Sequence, residues 1–204
     1  MKKRIFLTVL VFFCCFSLFA DFEFGSKGVD PLFNKVNRRN ILGGGVGFNF
    51  GSKLISLNAK MRFFGRTTSS LFPIHGFAID VDGDINKSKW KIGLNLGYEF
   101  LIGSIDCGEI HAPRRIFRDS DYILFYGTIG IQTSIGKADK FAFGPYLALT
   151  VRHWFNNRFG LDLTPKGEFD ISWLTDNNKL NNIGSSDYTG RFRFRLNAAF
   201  IFRF

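Results

Sequence analysis

The last thirteen residues of the chain alternate between apolar and polar positions. From Phe192 to Phe204, every even position holds Phe, Leu or Ala, and the odd positions include Arg193, Arg195 and Arg203. In a β-strand, this alternation places the rings on one face and the guanidinium groups on the other. A soluble sheet could bury such rings against a second layer. A membrane barrel has a simpler use for them, because it turns rings toward lipid and charges toward its lumen.

The end of this stretch also resembles a known signal. A terminal Phe with apolar residues at every second position before it resembles the C-terminal assembly signature of outer-membrane β-barrels. The residues that match are Phe200, Phe202 and Phe204. The resemblance implies recognition by the barrel-assembly machinery.

The same alternation recurs along the chain. Between Trp90 and Phe100, the even positions are aromatic or aliphatic, and the odd positions are polar or glycine. Trp90 and Tyr98 stand where interfacial aromatic girdles are expected. Strands of this kind alternate with turn-like and loop-like segments. The sequence therefore predicts an all-β fold, an antiparallel up-and-down transmembrane β-barrel with outer-membrane lipids around it.

Two strand counts fit the pattern. An eight-strand count begins at Asn40 and treats Phe159–Trp173 as one long strand. A ten-strand alternative adds 22–28 as a strand and splits the late segment at the turn-like residues 164–167. Eight strands place the long 103–120 connection on the periplasmic side, where turns are usually short. Ten strands avoid this but require several strands of only seven or eight residues, so eight strands are favoured.

The first twenty residues are predicted to be a signal peptide, separate from the barrel domain at 21–204. Residues 1–4 are basic apart from Met1, the stretch from Ile5 to Phe19 is apolar, and Ala20 offers a small residue for cleavage. An apolar stretch of about fifteen residues is shorter than a membrane-spanning helix requires. The predicted location is therefore the cell outer membrane.

Cysteine content limits the chemistry of the mature chain. Cys14 and Cys15 lie in the predicted signal, where acylation is a disfavoured alternative because Phe13 precedes them and no polar tether follows. Cys107 then stands alone, which excludes an intramolecular disulfide and a CxxC-type metal site. Removal of the signal lowers the formal net charge from +10 by the three cations Lys2, Lys3 and Arg4 to +7.

The sequence offers little basis for catalysis. Its three histidines are His75, His111 and His153. Barrels that resemble lipid A deacylase carry a lipid-facing His followed two places later by Ser. In this chain, Phe155 occupies that place after His153. Nucleophile-elbow, HExxH and phosphate-loop motifs are absent from the sequence. We therefore expect no enzymatic activity, no cofactor and no metal site.

Charges assigned to the lumen must be paired, since an eight-stranded barrel is just wide enough for side chains to fill. The last two strands are predicted to form a structural ladder of carboxylates and guanidiniums. Its members are Glu168, Asp170, Arg191, Arg193 and Arg195. The alternative is a charged lining that selects ions in a pore.

One loop carries a candidate binding patch. Within 103–120, one histidine and three arginines cluster, namely His111, Arg114, Arg115 and Arg118. Such a patch could bind anionic glycans or acidic proteins, although arginines near a membrane often meet lipid headgroups instead. No nucleic-acid partner is expected.

As a whole, the chain resembles the small outer-membrane β-barrel proteins of Borrelia-type spirochaetes. A Lys-Lys-Arg signal, Phe-rich strands and Asn- and Lys-rich loops carry this resemblance. It implies surface exposure and, for some relatives, binding of host extracellular-matrix or complement-regulatory proteins. An interaction or adhesion protein is the first functional hypothesis, a small channel or porin is the alternative, and a lipid-modifying enzyme is the third.

Overall fold

The computed structural model describes residues 23–24, 39–50, 54–65, 74–85, 90–106, 122–136, 141–156, 158–173 and 188–204. These residues form nine β-strands in one antiparallel sheet. The strands are β1 (Glu23–Phe24), β2 (Ile41–Asn49), β3 (Leu54–Phe64), β4 (His75–Ile85), β5 (Trp90–Asp106), β6 (Tyr122–Gly136), β7 (Phe141–Trp154), β8 (Phe159–Trp173) and β9 (Tyr188–Arg203). The described part of the chain contains no helix long and apolar enough to cross a membrane.

Eight of these strands close into a barrel. Strands β2 to β9 each pair with their neighbours in the sequence, and the β2–β9 boundary completes the circle. Following paired residues once around the barrel leads from Arg203 to Arg193, a shift of ten residues along β9. The path runs through Ile41, Arg62, Ala78, Gly97, Gly130, Tyr146 and Glu168. A shift of this size in eight strands requires a strand tilt of about 40°.

The eight-strand prediction is confirmed, and the ten-strand alternative is wrong. Strand β8 runs without a break through 164–167, where the alternative placed a turn. Strand β1 has only two residues and pairs with the end of β5 outside the closed circle. Strand β5 also continues to Asp106, past the predicted start of a loop at Gly103, and a bulge at Ile102 keeps it paired with β6.

The outer wall of the barrel has an aliphatic band between two aromatic girdles. Exposed rings near the C-terminal end of the barrel, where Phe204 lies, belong to Phe63, Phe77, Tyr98, Phe155, Phe159, Phe200, Phe202 and Phe204. Exposed rings near the opposite end belong to Phe48, Phe50, Trp90, Phe141, Phe143, Phe169, Phe192 and Phe194. Leu, Ile and Val side chains are exposed between them.

This girdle spacing matches a membrane. Trp90 and Tyr98 are eight residues apart on β5, or about 26 Å along a strand and about 20 Å along the axis of a tilted barrel. The apolar band of outer-membrane barrels is about 25 Å tall. The structure is thus a transmembrane β-barrel, and its apolar side chains face outward because the polar ones fill its interior.

Candidate functional site

The barrel interior is lined by charged and polar side chains that are almost completely buried. Strand alternation turns one residue in two inward, and nearly every inward position in the middle of the barrel is polar or glycine. The inward cations with described ion pairs are Lys60, Arg62, Lys91, Arg152, Lys166, Arg193 and Arg195. The inward anions are Asp80, Asp82, Asp84, Glu99, Asp162, Glu168 and Asp170. Each of these charges lies against an opposite charge, which compensates its removal from solvent.

Glu99 on β5 lies at the centre of a first group, which we call the Glu99 cluster. One of its oxygens is 2.5 Å from Arg62 Nε, and the other is 3.1 Å from Arg152 Nη2. Arg62 also donates to Asp80 at 2.6 Å. Arg152 makes a two-pronged contact with Asp162, at 2.8 and 3.0 Å. Paired N–H donors matched to a carboxylate in this way form a strong and directional type of ion pair.

Asp82 on β4 lies at the centre of a second group, the Asp82 cluster. It is 2.5 Å from Lys166 Nζ and 3.2 Å from Arg195 Nη1. Two amide side chains, from Asn58 and Asn95, donate to it at 2.7 and 2.8 Å. With every oxygen of Asp82 approached by a donor, its burial is compensated.

Asp170 on β8 collects a third group toward the end opposite Phe204. Lys91 approaches it at 2.9 Å and Arg193 at 2.8 Å, and Gln132 donates a hydrogen bond to it. The three groups together run along the barrel axis, so the middle of the lumen is filled with side chains held by one another.

The C-terminal end of the interior is filled differently, by an apolar plug. Its buried members are Ile41, Phe64, Ile74, Leu101, Leu124, Tyr126, Trp154 and Ile201. Two guanidinium groups lie over its rings: Arg152 is 4.4 Å from the centre of Tyr126, and Arg203 is 3.7 Å from that of Trp154. Cation–π contacts of this kind join the charged interior to the apolar one.

A buried tyrosine covers two glycines on the neighbouring wall. A side chain at Gly97 or Gly130 would collide with the ring or hydroxyl of Tyr146. The hydroxyl oxygen of Tyr146 has no hydrogen-bond partner among the described residues. The ring also lies 5.4 Å from Lys166 Nζ, so Tyr146 fills the space that the two glycines leave.

The structure brings together part of the predicted ladder. Arg193 contacts Asp170, and Arg195 Nε lies 3.5 Å from Glu168. Arg191 is the backbone register partner of Asp170 and is exposed at the end of the barrel opposite Phe204. Arg195 also reaches Asp84 on β4 at 3.0 Å, a contact across the lumen that a ladder within one hairpin does not include.

The predicted binding patch lies outside the described residues, as do Cys107 and the predicted signal peptide at 1–20. The other two histidines are on the outer wall. His75 Nδ1 is 2.5 Å from the Tyr98 hydroxyl, and His153 lies 3.4 Å from the carbonyl of Tyr122 and against the ring of Phe155. The signature residues Phe200, Phe202 and Phe204 face outward and are exposed.

The Glu99 cluster was not predicted from the sequence. Its members come from β3, β4, β5, β7 and β8, so their contacts join positions as much as 53 residues apart. The alternation of polar and apolar positions could have indicated them, because each lies on the polar face of a strand whose other face is apolar. Among the described residues, no group of three His, Cys, Asp or Glu side chains is arranged to hold a metal ion.

No family model matches the chain, and no curated protein matches it.

Proposed function

We propose that this chain is an outer-membrane protein whose connecting loops bind extracellular partners. The observation that supports the proposal is how the described residues use their two surfaces. The outer wall presents an aliphatic band to lipid, and the interior is occupied by ion pairs and the apolar plug. The loops are then the parts of the chain left to contact other proteins.

The patch His111, Arg114, Arg115 and Arg118 is the proposed binding element. The strands that flank its connection, β5 and β6, end on the side of the barrel where Phe204 lies, so binding by the patch requires this end to face the outside of the cell. That orientation is opposite to the periplasmic placement that the eight-strand count assigns to 103–120. Its charge favours acidic partners, and host extracellular-matrix or complement-regulatory proteins are the proposed class. Arginines form paired hydrogen bonds with carboxylates and sulfates, so the patch suits acidic protein surfaces and sulfated glycans.

A binding measurement on folded protein tests this proposal. The triple variant Arg114→Ala/Arg115→Ala/Arg118→Ala should lose saturable binding to immobilised matrix and complement-regulatory proteins. The matched control Lys87→Ala/Lys89→Ala/Lys137→Ala removes three cations from connections at the opposite end of the barrel, and it should bind as the wild type does. Absence of saturable binding by the wild type to every partner and to intact host cells would overturn the proposal.

Labelling of Cys107 establishes whether the patch faces the outside of the cell. A membrane-impermeant maleimide should label Cys107 on intact cells if the 107–121 connection is extracellular. Labelling only after lysis would place the patch in the periplasm and contradict its role in binding outside the cell.

The channel alternative has weaker support. A water-filled path would have to pass both the buried ion pairs and the apolar plug, and apolar constrictions oppose ion passage. Planar-bilayer recordings on the wild type should show no reproducible conductance steps. Regular steps would favour the channel instead.

A further inference from the structure

One strand boundary of the barrel is unlike the other seven. Every boundary except β2–β9 joins strands that are consecutive in the chain. The β2–β9 boundary joins the first and last barrel strands through nine residue pairs, from Ile41 and Arg203 to Asn49 and Arg195. Because no short connection holds these two strands together, closing this boundary has the largest entropic cost in the barrel.

Strand β2 contributes almost no side chains to the inner face of this boundary. Its inward positions between Ile41 and Asn49 are Gly43, Gly45 and Gly47. A Cβ atom at Gly45 would collide with the backbone of Ala198 on β9. At Gly43 it would lie 2.8 Å from Ile201 Cγ2 and 3.0 Å from Lys60 Cγ. The space inside β2 is therefore used by side chains from its neighbours.

Lys60 uses this space to reach across the boundary. It belongs to β3, and its ammonium group lies 3.1 Å from Asp162 Oδ2 and 3.3 Å from Thr164 Oγ1 on β8. The contact passes over both β2 and β9. The side chains of Lys60 and Asp162 are 2% and 0% exposed, so neither charge is solvated while the barrel is closed.

Two further ion pairs join the same two sides. Arg195 on β9 contacts Asp84 on β4 at 3.0 Å, and Lys166 on β8 contacts Asp82 on β4 at 2.5 Å. Both connect β4, on the β2 side of the boundary, to β8 or β9 on the other side. We call these three contacts the cross-boundary pairs: Lys60–Asp162, Arg195–Asp84 and Lys166–Asp82.

We infer that the cross-boundary pairs are an internal clasp that holds the β2–β9 boundary closed, and that the glycines of β2 are the opening through which Lys60 reaches its partners. A buried ion pair contributes little net stability compared with a well-packed apolar replacement, but separating its two charges is strongly unfavourable. In Lys60→Met, Asp162 keeps Arg152 on the adjacent strand β7 and loses the cation that joins it to β3 across the boundary. Opening the boundary then no longer separates this buried pair. Loss of Lys60 should therefore loosen the β2–β9 boundary more than any other.

Amide hydrogen exchange on the full barrel in detergent micelles or bilayers tests the clasp. In Lys60→Met, amides of β2 and β9 should exchange about tenfold faster than in the wild type, while amides at the β5–β6 boundary keep their protection. Lys60→Arg retains the charge and should restore slow exchange. The matched control is Asp80→Asn, which removes a buried carboxylate whose partner Arg62 lies on the adjacent strand β3. This variant should not raise the amide exchange rate selectively in β2 and β9.

Exchange that rises equally at all boundaries in Lys60→Met, or that does not rise, would overturn the inference. If Lys60→Met does not fold, the folded fraction of each variant is measured by its resistance to SDS without heating. Failure of Lys60→Met together with folding of Lys60→Arg and Asp80→Asn supports the clasp. Equal failure of Lys60→Met and Asp80→Asn contradicts it, because removal of any buried charge would then have the same effect.

Discussion

The two parts of the barrel interior are filled by opposite chemistry. The C-terminal end holds the apolar plug, whose buried members include Phe64, Leu124 and Trp154. The middle holds the Glu99 and Asp82 clusters, in which no charge is far from its opposite. A position in the plug requires an apolar side chain that fits the space. A charged position in the clusters requires a side chain of opposite charge on another strand.

The two kinds of interior differ in how far they specify the pairing of the strands. Apolar burial is non-directional and does not specify which strand lies opposite which. A buried charge that has lost its partner is strongly unfavourable, so we expect the clusters to favour the observed register of the strands. The plug fills the C-terminal end of the lumen, and we expect the clusters to specify the register around it.

The largest loss of stability is expected from breaking the Glu99 cluster. Glu99→Gln keeps the shape of the side chain but leaves Arg62 and Arg152 without the carboxylate they share. The free energy of unfolding should fall by about 3–5 kcal/mol. Urea unfolding of the protein in lipid vesicles measures this. Thr128→Val is the control, because Thr128 only approaches Glu99 at 3.5 Å, and a loss as large as that of Glu99→Gln would contradict the dominance of the ion pairs.

A smaller loss is expected in the apolar plug. Leu124→Ala removes a fully buried side chain and should lower the free energy of unfolding by about 2–3 kcal/mol, through lost burial and a cavity. The control is Leu147→Ala on the outer wall, where the residue is 67% exposed to the surroundings of the barrel. Planar-bilayer recordings of Leu124→Ala should still show no conductance, since the charged clusters fill the lumen beyond the plug. Equal losses from the two leucine variants would show that the plug is not packed as described.

The smallest effect is expected at Tyr146. Tyr146→Phe removes a buried hydroxyl that has no partner among the described residues, so the free energy of unfolding should change by less than about 1 kcal/mol or rise slightly. Tyr146→Ala should be clearly destabilising in the same assay, because it uncovers Gly97 and Gly130. A large loss in Tyr146→Phe would mean that the hydroxyl contributes a hydrogen bond.

Much of the fold was predictable from alternation alone. The period of two in segments such as 90–100 and 192–204 fixes which residues face lipid, and the continuous β8 follows from the unbroken parity of Phe159–Trp173. The bulge at Ile102 was not predictable, because it depends on how β5 meets β6 beyond the end of β4. Parity there changes without any marker in the local sequence.

The interior contacts were only partly predictable. Arg193 and Asp170 lie on one hairpin, so their proximity follows from a local pairing. The contact of Lys60 with Asp162 depends on the ten-residue shift around the barrel, which no single hairpin reveals. The glycines of β2 are visible in the sequence, but their role appears only when Lys60 is seen to use the space they leave.

The central claim is that the outer wall faces lipid and the plug lies inside the barrel. Trp90 and Trp154 test it directly, since the first is 47% exposed on a girdle and the second is 1% exposed within the plug. Two single-tryptophan variants are reconstituted in vesicles whose lipids carry bromine in the upper part of the acyl chains: Trp154→Phe/Trp173→Phe keeps Trp90, and Trp90→Phe/Trp173→Phe keeps Trp154. We expect strong quenching of Trp90 fluorescence and weak quenching of Trp154 fluorescence. Equal quenching of both, or stronger quenching of Trp154, would contradict it.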